Sequence, residues 1–190
     1  MRRRAEGRHV RHLAYAGFMD TTISPCTPAD AYRLSVVAAA TFVETYAGIV
    51  DGADIVFHCR NTHAPEAYEE LLADPTRRLF LATVEPGDAP VGFLLMGEPD
   101  LPVETGPDDM ELTRIYALHR FHGQGLGARL MQTAIDTARA AGKRRLLLAV
   151  YSRNDRANAF YRKSGFRKVG ERLFHVGVND YQDWVLALDL

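Results

Sequence analysis

An α/β domain built on a mixed sheet is what this chain predicts, and three observations predict it. RRLLLAVY, residues 144–151, is almost wholly apolar, as in a strand covered on both faces. RLFLATVE and PVGFLLMGE read as two strands joined at Pro86-Gly87-Asp88, a hairpin by composition. From residue 110 to 150 the chain runs strand, helix, strand, and a crossover of that length implies one parallel pair within the sheet.

The other elements follow in order. TTISPC, residues 21–26, is a short strand candidate, and Pro28 opens a helix-like run from Ala29 to about Tyr46 with Leu34, Val37, Ala38 and Phe42 on one face. Residues 51–75 are weakly helical in pieces; the clearest begins at Pro65 with EAYEELL and is stopped by Asp74-Pro75. Pro99 to Asp109 is a loop rich in proline and acid, and MELTRIYAL is the next strand. A helix then runs to Ala141, closed by Gly142 and Lys143. Its apolar stripe is Leu126, Leu130, Ala134 and Ala138, widened by Met131 and Ile135, which is ordinary packing onto a sheet. A short helix from about Asp155 to Lys163 ends at Gly165, followed by GFRKVGERLFHV and the terminal strand DWVLALDL. There are no repeats and no domain linker, so residues 19–190 read as one domain.

Composition sets bounds on function. The chain has 190 residues, 47% hydrophobic and 25% charged, enough for a core without disulfides or metals. Net charge is -1, which gives no global case for nucleic acid. Residues 1–18 hold five arginines against Glu6, a surplus of +4 that leaves -5 for the remainder. This arm reads as a disordered extension, or as an upstream start ahead of Met19, rather than as a nucleic-acid arm. No apolar run suits a signal peptide or a membrane span. Cys26 and Cys59 form no CxxC and no ligand spacing, so a reduced cytoplasmic protein without a metal is expected.

The chemistry-bearing stretch is HRFHGQGLGARLM, residues 119–131. Gly123, Gly125 and Gly127 stand at the mouth of a helix, where the first N–H groups have no internal partner and the helix dipole is positive. Bare backbone there lets a phosphate approach closely. A tight turn needing positive φ would explain one glycine but not three. The GxxxxGK[ST] phosphate loop is excluded because no Lys-Ser or Lys-Thr follows. The dinucleotide fingerprint is excluded because the spacing is GxGxG and residues 143–145, about 20 on, are basic.

HGQGLG before an apolar helix resembles the acyl-CoA signature [QR]-x-x-G-x-[GA] of the GCN5-related N-acetyltransferases (GNAT), with His122 replacing Gln or Arg. A second block, NDRANAFYRKSGF, resembles that family's N-x-x-A-x-x-[FLI]-Y-x-x-x-G-F through Asn154, Ala157, Phe160, Tyr161, Gly165 and Phe166. The resemblance implies a mostly antiparallel sheet of six to seven strands flanked by helices, with a splayed parallel pair at its centre. It implies acetyl-CoA as cosubstrate, its pyrophosphate on the turn His122, Gly123, Gln124, Gly125, Leu126 and Gly127. Backbone groups of Ile115, Tyr116 and Ala117 are expected to pair with the pantetheine arm, and Asn154 to help hold it or to act only as a helix cap. It implies further that Tyr161 protonates the departing thiolate: a thiol near ~8.5 is a fair leaving group, and a phenol near ~10 can neutralise it.

An amine near pKa ~10.4 must lose a proton before it attacks, so a carboxylate is needed. Glu111, on the strand before the turn, is the candidate; Glu44, at the end of the first helix, is a second acid near the expected acceptor wall. Neither cysteine lies near the motifs, which disfavours an acyl-cysteine route. Within the family, ELTRIY, FYRKSGFRKVG and the late Phe174–Gly177 with Asp183 resemble the PaiA-type polyamine acetyltransferases, which implies spermidine or spermine as acceptor. A protein or peptide amine, an antibiotic, or a CoA-binding regulatory module without turnover are the alternatives. Such domains often pair through outer strands, so a homodimer is an expectation as well.

Overall fold

The computed structural model describes residues 20–190; the arginine-rich arm lies outside the described residues. The chain runs β1 (Thr21–Pro25), α1 (Ala31–Tyr46), α2 (Gly52–Asn61), α3 (Pro65–Ala73), β2 (Arg78–Val84), β3 (Ala89–Gly97) and β4 (Asp109–Ala117). It continues through α4 (Leu126–Ala140), β5 (Arg145–Tyr151), α5 (Asp155–Lys163), β6 (Arg167–Val176) and β7 (Asn179–Asp189). Seven strands form one sheet in the order β1-β2-β3-β4-β5-β7-β6, and every neighbouring pair is antiparallel except β4 with β5. The expected parallel pair is therefore present at the centre.

Each face of the sheet carries helices because alternate strand residues are apolar on both sides. Leu94, Met96, Leu112, Leu146 and Leu148 pack with Leu126, Leu130, Met131 and Ala134 of α4 and with Tyr161 of α5. On the opposite face Leu79, Leu81, Phe93 and Leu95 meet Leu34, Val37 and Ala38 of α1 and Tyr68 of α3. The stripe expected on α1 is the one it buries, with Phe42 extending into a third cluster alongside Val50, Ile55 and Val176.

The central pair is short. Only Asp109–Glu111 pair with Arg145–Leu147; beyond them β4 continues against β3 while β5 continues against β7, and the two part. A bulge at Thr113 interrupts the β3–β4 ladder where the strands diverge. The closed end is pinned by Asp109, whose carboxylate accepts from Arg145 Nε at 2.8 Å and Nη2 at 2.6 Å and from Gly106 N at 2.8 Å.

Two boundaries differ from the sequence reading. Strand β7 starts at Asn179, four residues before DWVLALDL, because hairpin pairing with β6 recruits polar residues that carry no apolar signal. Helix α2 is continuous, yet its pattern is faint: Val56 and Phe57 are exposed while Asp54 is buried. Asp54 is buried because its carboxylate accepts from Val178 N and Asn179 Nδ2, tying α2 to the β6–β7 turn. A methyl group on Gly177, whose φ is +61°, would collide with that carboxylate.

Candidate active site

The split between β4 and β5 opens into a cavity of about 700 Å³. Gly123, Gly125 and Gly127 line one end, with Asn154, Ala157 and Phe160 of the α5 mouth. Thr113 through Ala117 and Ala149 through Tyr151 form its sides, and Tyr161 lines it as well. The other end is closed by α1, α2, β6 and β7, through Phe42, His58, His63, Arg172, Phe174 and Asp183.

The glycine turn is built by backbone conformation. Gly123 (φ +76°) and Gly125 (φ +84°) are left-handed, where a side chain costs about 1–2 kcal/mol. A Cβ on either would meet no protein atom within 4 Å, so both face open space. Gly127 differs: it lies inside α4 with no positive φ, and a Cβ there would rest on the Phe160 ring at 3.8 Å. Gly125 is the N-cap of α4 and no side chain caps that helix, so its first N–H groups are left for whatever enters the cavity. Gln124 turns away, donating Nε2 to Arg120 O at 2.8 Å; neither it nor Leu126, which packs in the core under α4, lines the cavity.

His122, where the acyl-CoA signature has Gln or Arg, ties the turn to β4. Its Nε2 donates to Ala117 O at 2.8 Å, and burial lowers its pKa, so the ring is neutral with Nδ1 as acceptor. Nδ1 is buried and has no partner among the described residues. This contact takes one of the backbone groups expected to be open. Leu118 N bonds Val91 O, and the alternation of an antiparallel ladder then turns Tyr116 main-chain groups toward β3 and those of Ile115 and Ala117 toward the split. Of the three residues expected to offer main chain, Ile115 offers both groups, Ala117 its N–H, and Tyr116 only its ring.

Asn154 caps α5, its Oδ1 accepting from Ala157 N at 3.1 Å, and it also lines the cavity. Asn154 is therefore a helix cap that also stands on the cavity wall. Tyr161 lies on the buried face of α5, 8% exposed, and burial raises its pKa well above the usual phenol, aided by nearby Tyr116. It stays protonated and so keeps a proton to donate. Tyr116 OH lies 3.5 Å from Tyr46 OH, and burial raises both phenols, with Asp183 adding to the rise.

The acids are arranged differently from the sequence reading. Glu111 is 4% exposed at the closed end of the split; a carboxylate oxygen accepts from Asp100 N at 2.8 Å, burial raises its pKa, and it does not line the cavity. Glu44 is exposed and accepts from His119 N at 2.8 Å, capping the turn before the glycines. The acid that does line the cavity is Asp183, 4% exposed, its pKa raised by burial and held partly down by Arg172, whose Nε lies 3.1 Å away. Arg114 was missed too, although a lone arginine inside the apolar strand MELTRIYAL was its visible signal.

The family of this chain follows from comparison. The Acetyltransferase (GNAT) family model matches residues 49–166, a span that contains the glycine turn, the split and Tyr161. This chain belongs to the GNAT acetyltransferase family. The acetyltransferase is 31% identical over 161 residues to an uncharacterized N-acetyltransferase of Mycobacterium tuberculosis, covering 85% of this chain and 98% of that one. It is 29% identical to the N-alpha-acetyltransferase RimI of the same organism, covering 88% and 92%. Its fold matches the PaiA N-acetyltransferase of Thermoplasma acidophilum, solved with coenzyme A, at a TM-score of 0.70 and 19% identity, covering 90% and 100%. Among the described residues of the acetyltransferase no group of acids, histidines and cysteines could hold a metal ion. No described helix is long and apolar enough to cross a membrane.

Proposed function

We propose that this acetyltransferase moves the acetyl group of acetyl-CoA to a primary amine by direct attack in a ternary complex. One observation carries the reading: the bare glycine turn, the open edge of the split and Tyr161 all line a single cavity. The turn fits a diphosphate because two left-handed glycines face open space in front of uncapped helix N–H groups. Main-chain groups of Ile115 and Ala117 and the Asn154 side chain hold the arm that carries the thioester. Acetyl-CoA supplies an activated acyl carbon and a thiolate leaving group.

The chain's own residues do the rest. Asp183 is the carboxylate in the cavity and takes the amine proton; Glu111 stands one step below, where it acts only through water. Tyr161, kept protonated by burial, donates to the sulfur as it leaves. No cysteine borders the cavity, so no acyl-enzyme is needed. A cytoplasmic setting suits the two free thiols. Spermidine or spermine, the acceptor implied by the PaiA-type likeness, finds little support in the lining: Asp183 is its only acid among the described residues and is already paired to Arg172. The test is calorimetric binding of acetyl-CoA followed by thiol release over a library of amines, with mass analysis of the product. Absence of acetyl-CoA binding refutes the reading.

A further inference from the structure

The acceptor end of the cavity is rich in cation and short of acid. Arg114 stands in the middle of β4 opposite Leu95, so its side chain leaves the sheet on the face of α1 and α3. Its guanidinium carbon lies 5.8 Å from the centre of the Tyr68 ring. No carboxylate among the described residues forms an ion pair with it, and its Nη1 is buried without a hydrogen-bond partner. His63 stands beside it on the cavity wall with one ring nitrogen, Nδ1, 3.1 Å from Tyr68 OH and the other, Nε2, buried and unpartnered.

A guanidinium always carries its charge, and burying it without a counter-ion is costly. Arg114 is half-buried against the Tyr68 ring and hydroxyl, and no carboxylate pairs with it among the described residues. Burial, with help from Arg114, lowers His58 to about 4 and His63 to about 3, and burial pushes Tyr68 up to about 12, so all three are neutral across the physiological range. The one acid of the wall, Asp183, answers Arg172. The cavity wall thus carries the Arg114 side chain, with no carboxylate paired to it among the described residues, beside the His63 ring, and convergent polar groups of this kind orient a small ligand.

We propose that the acceptor is a small amine bearing an anionic group of its own, a carboxylate, which docks on the Arg114 guanidinium beside His63 and so presents the amine to Asp183. The proposal rests on the reading of the cavity as an acetyl-CoA and amine site. It names an amino acid or similar amino-carboxylate as the substrate class. A polycation is disfavoured by the same charge that draws a carboxylate.

The experiment uses the full chain and matched pairs: free amino acids, their carboxamides, their aminoalkylphosphonate analogues, and spermidine, with thiol release from acetyl-CoA as readout. At least one amino acid is expected to exceed its carboxamide by tenfold or more in kcat/KM. In Arg114→Met that ratio collapses through KM, while Arg114→Lys recovers part of it, and both variants bind acetyl-CoA as the wild type does. A preference for the phosphonate supports the anion-docking role of Arg114 and overturns the carboxylate. Carboxamides or spermidine used as well as amino acids, no amino acid used at all, or a ratio unchanged in Arg114→Met overturn the proposal while leaving the acetyl-CoA reading intact. Failure of the wild type to bind acetyl-CoA brings down that reading, and this proposal with it.

Discussion

Gly125 and Gly127 stand two residues apart in one motif, and alanine at each should act with opposite sign. Gly125 holds φ +84°, so Gly125→Ala forces an L-residue into the left-handed region at a cost of about 1–2 kcal/mol. For a domain of this size that lowers the melting temperature by roughly 2–8 °C. The new methyl group meets no protein atom within 4 Å, so it projects into the space a diphosphate would occupy. Losing one charge-assisted main-chain hydrogen bond then weakens coenzyme A binding roughly tenfold to hundredfold. Gly127 is helical, and its Cβ would find the Phe160 ring at an ordinary 3.8 Å. Gly127→Ala should therefore stabilise the free protein by about 0.5–1 kcal/mol, raising the melting temperature by roughly 1–4 °C. Its methyl lies against α5 rather than open space, so affinity should change little. Scanning calorimetry of the free variants and isothermal titration with coenzyme A measure both quantities. If Gly125→Ala melts lower yet binds coenzyme A normally, the backbone argument stands and the cradle does not. If its melting temperature is unchanged, the conformational argument itself is wrong.

Further outcomes follow from the same geometry. Tyr161→Phe should cut kcat by about a hundredfold or more with acetyl-CoA affinity unchanged, measured by stopped-assay thiol release and titration; an unaltered kcat points to a binding module without turnover. Because burial raises the Asp183 carboxyl and only its ionised form takes a proton, activity should climb with pH through a limb above the ordinary carboxylate range. Asp183→Asn should remove that limb and Glu111→Gln should keep it, a contrast that a pH–rate profile resolves. Asp109→Asn should lower stability by about 1.5–3 kcal/mol in urea melts, since it weakens the clamp at the closed end of the split. Arg145 hydrogen bonds hold the Asp109 carboxyl below its ordinary value, so its contribution is present above that range and is lost as pH falls through the lowered pKa.

Most of the sheet was legible because its strands are apolar on both faces and its turns carry glycine and proline. The crossover from β4 through α4 to β5 by its length implies the parallel pair, since antiparallel strands need no such connection. Helix α2 was hard to read because a buried aspartate stands where an apolar residue would mark the inner face, and the reason for its burial lies 124 residues away at Val178. The start of β7 was hidden for a similar reason: Asn179 through Gln182 are strand only because β6 lies beside them. Glu111 was the candidate base by its place before the turn, whereas the register of β6 with β7 is what puts Asp183 into the cavity.

The amino-acid order alone determined the glycine turn, the helix that follows it and the helix bearing Asn154 and Tyr161. These depend on φ preferences, capping and i, i+4 spacing, which act within a few residues. Which charges meet in the cavity was decided only by the tertiary structure. Asp183 finds Arg172 across a hairpin, while among the described residues Arg114 pairs with no acid and one His63 nitrogen is buried without a partner, because ion pairing and desolvation depend on neighbours that only the completed sheet and its helices bring together.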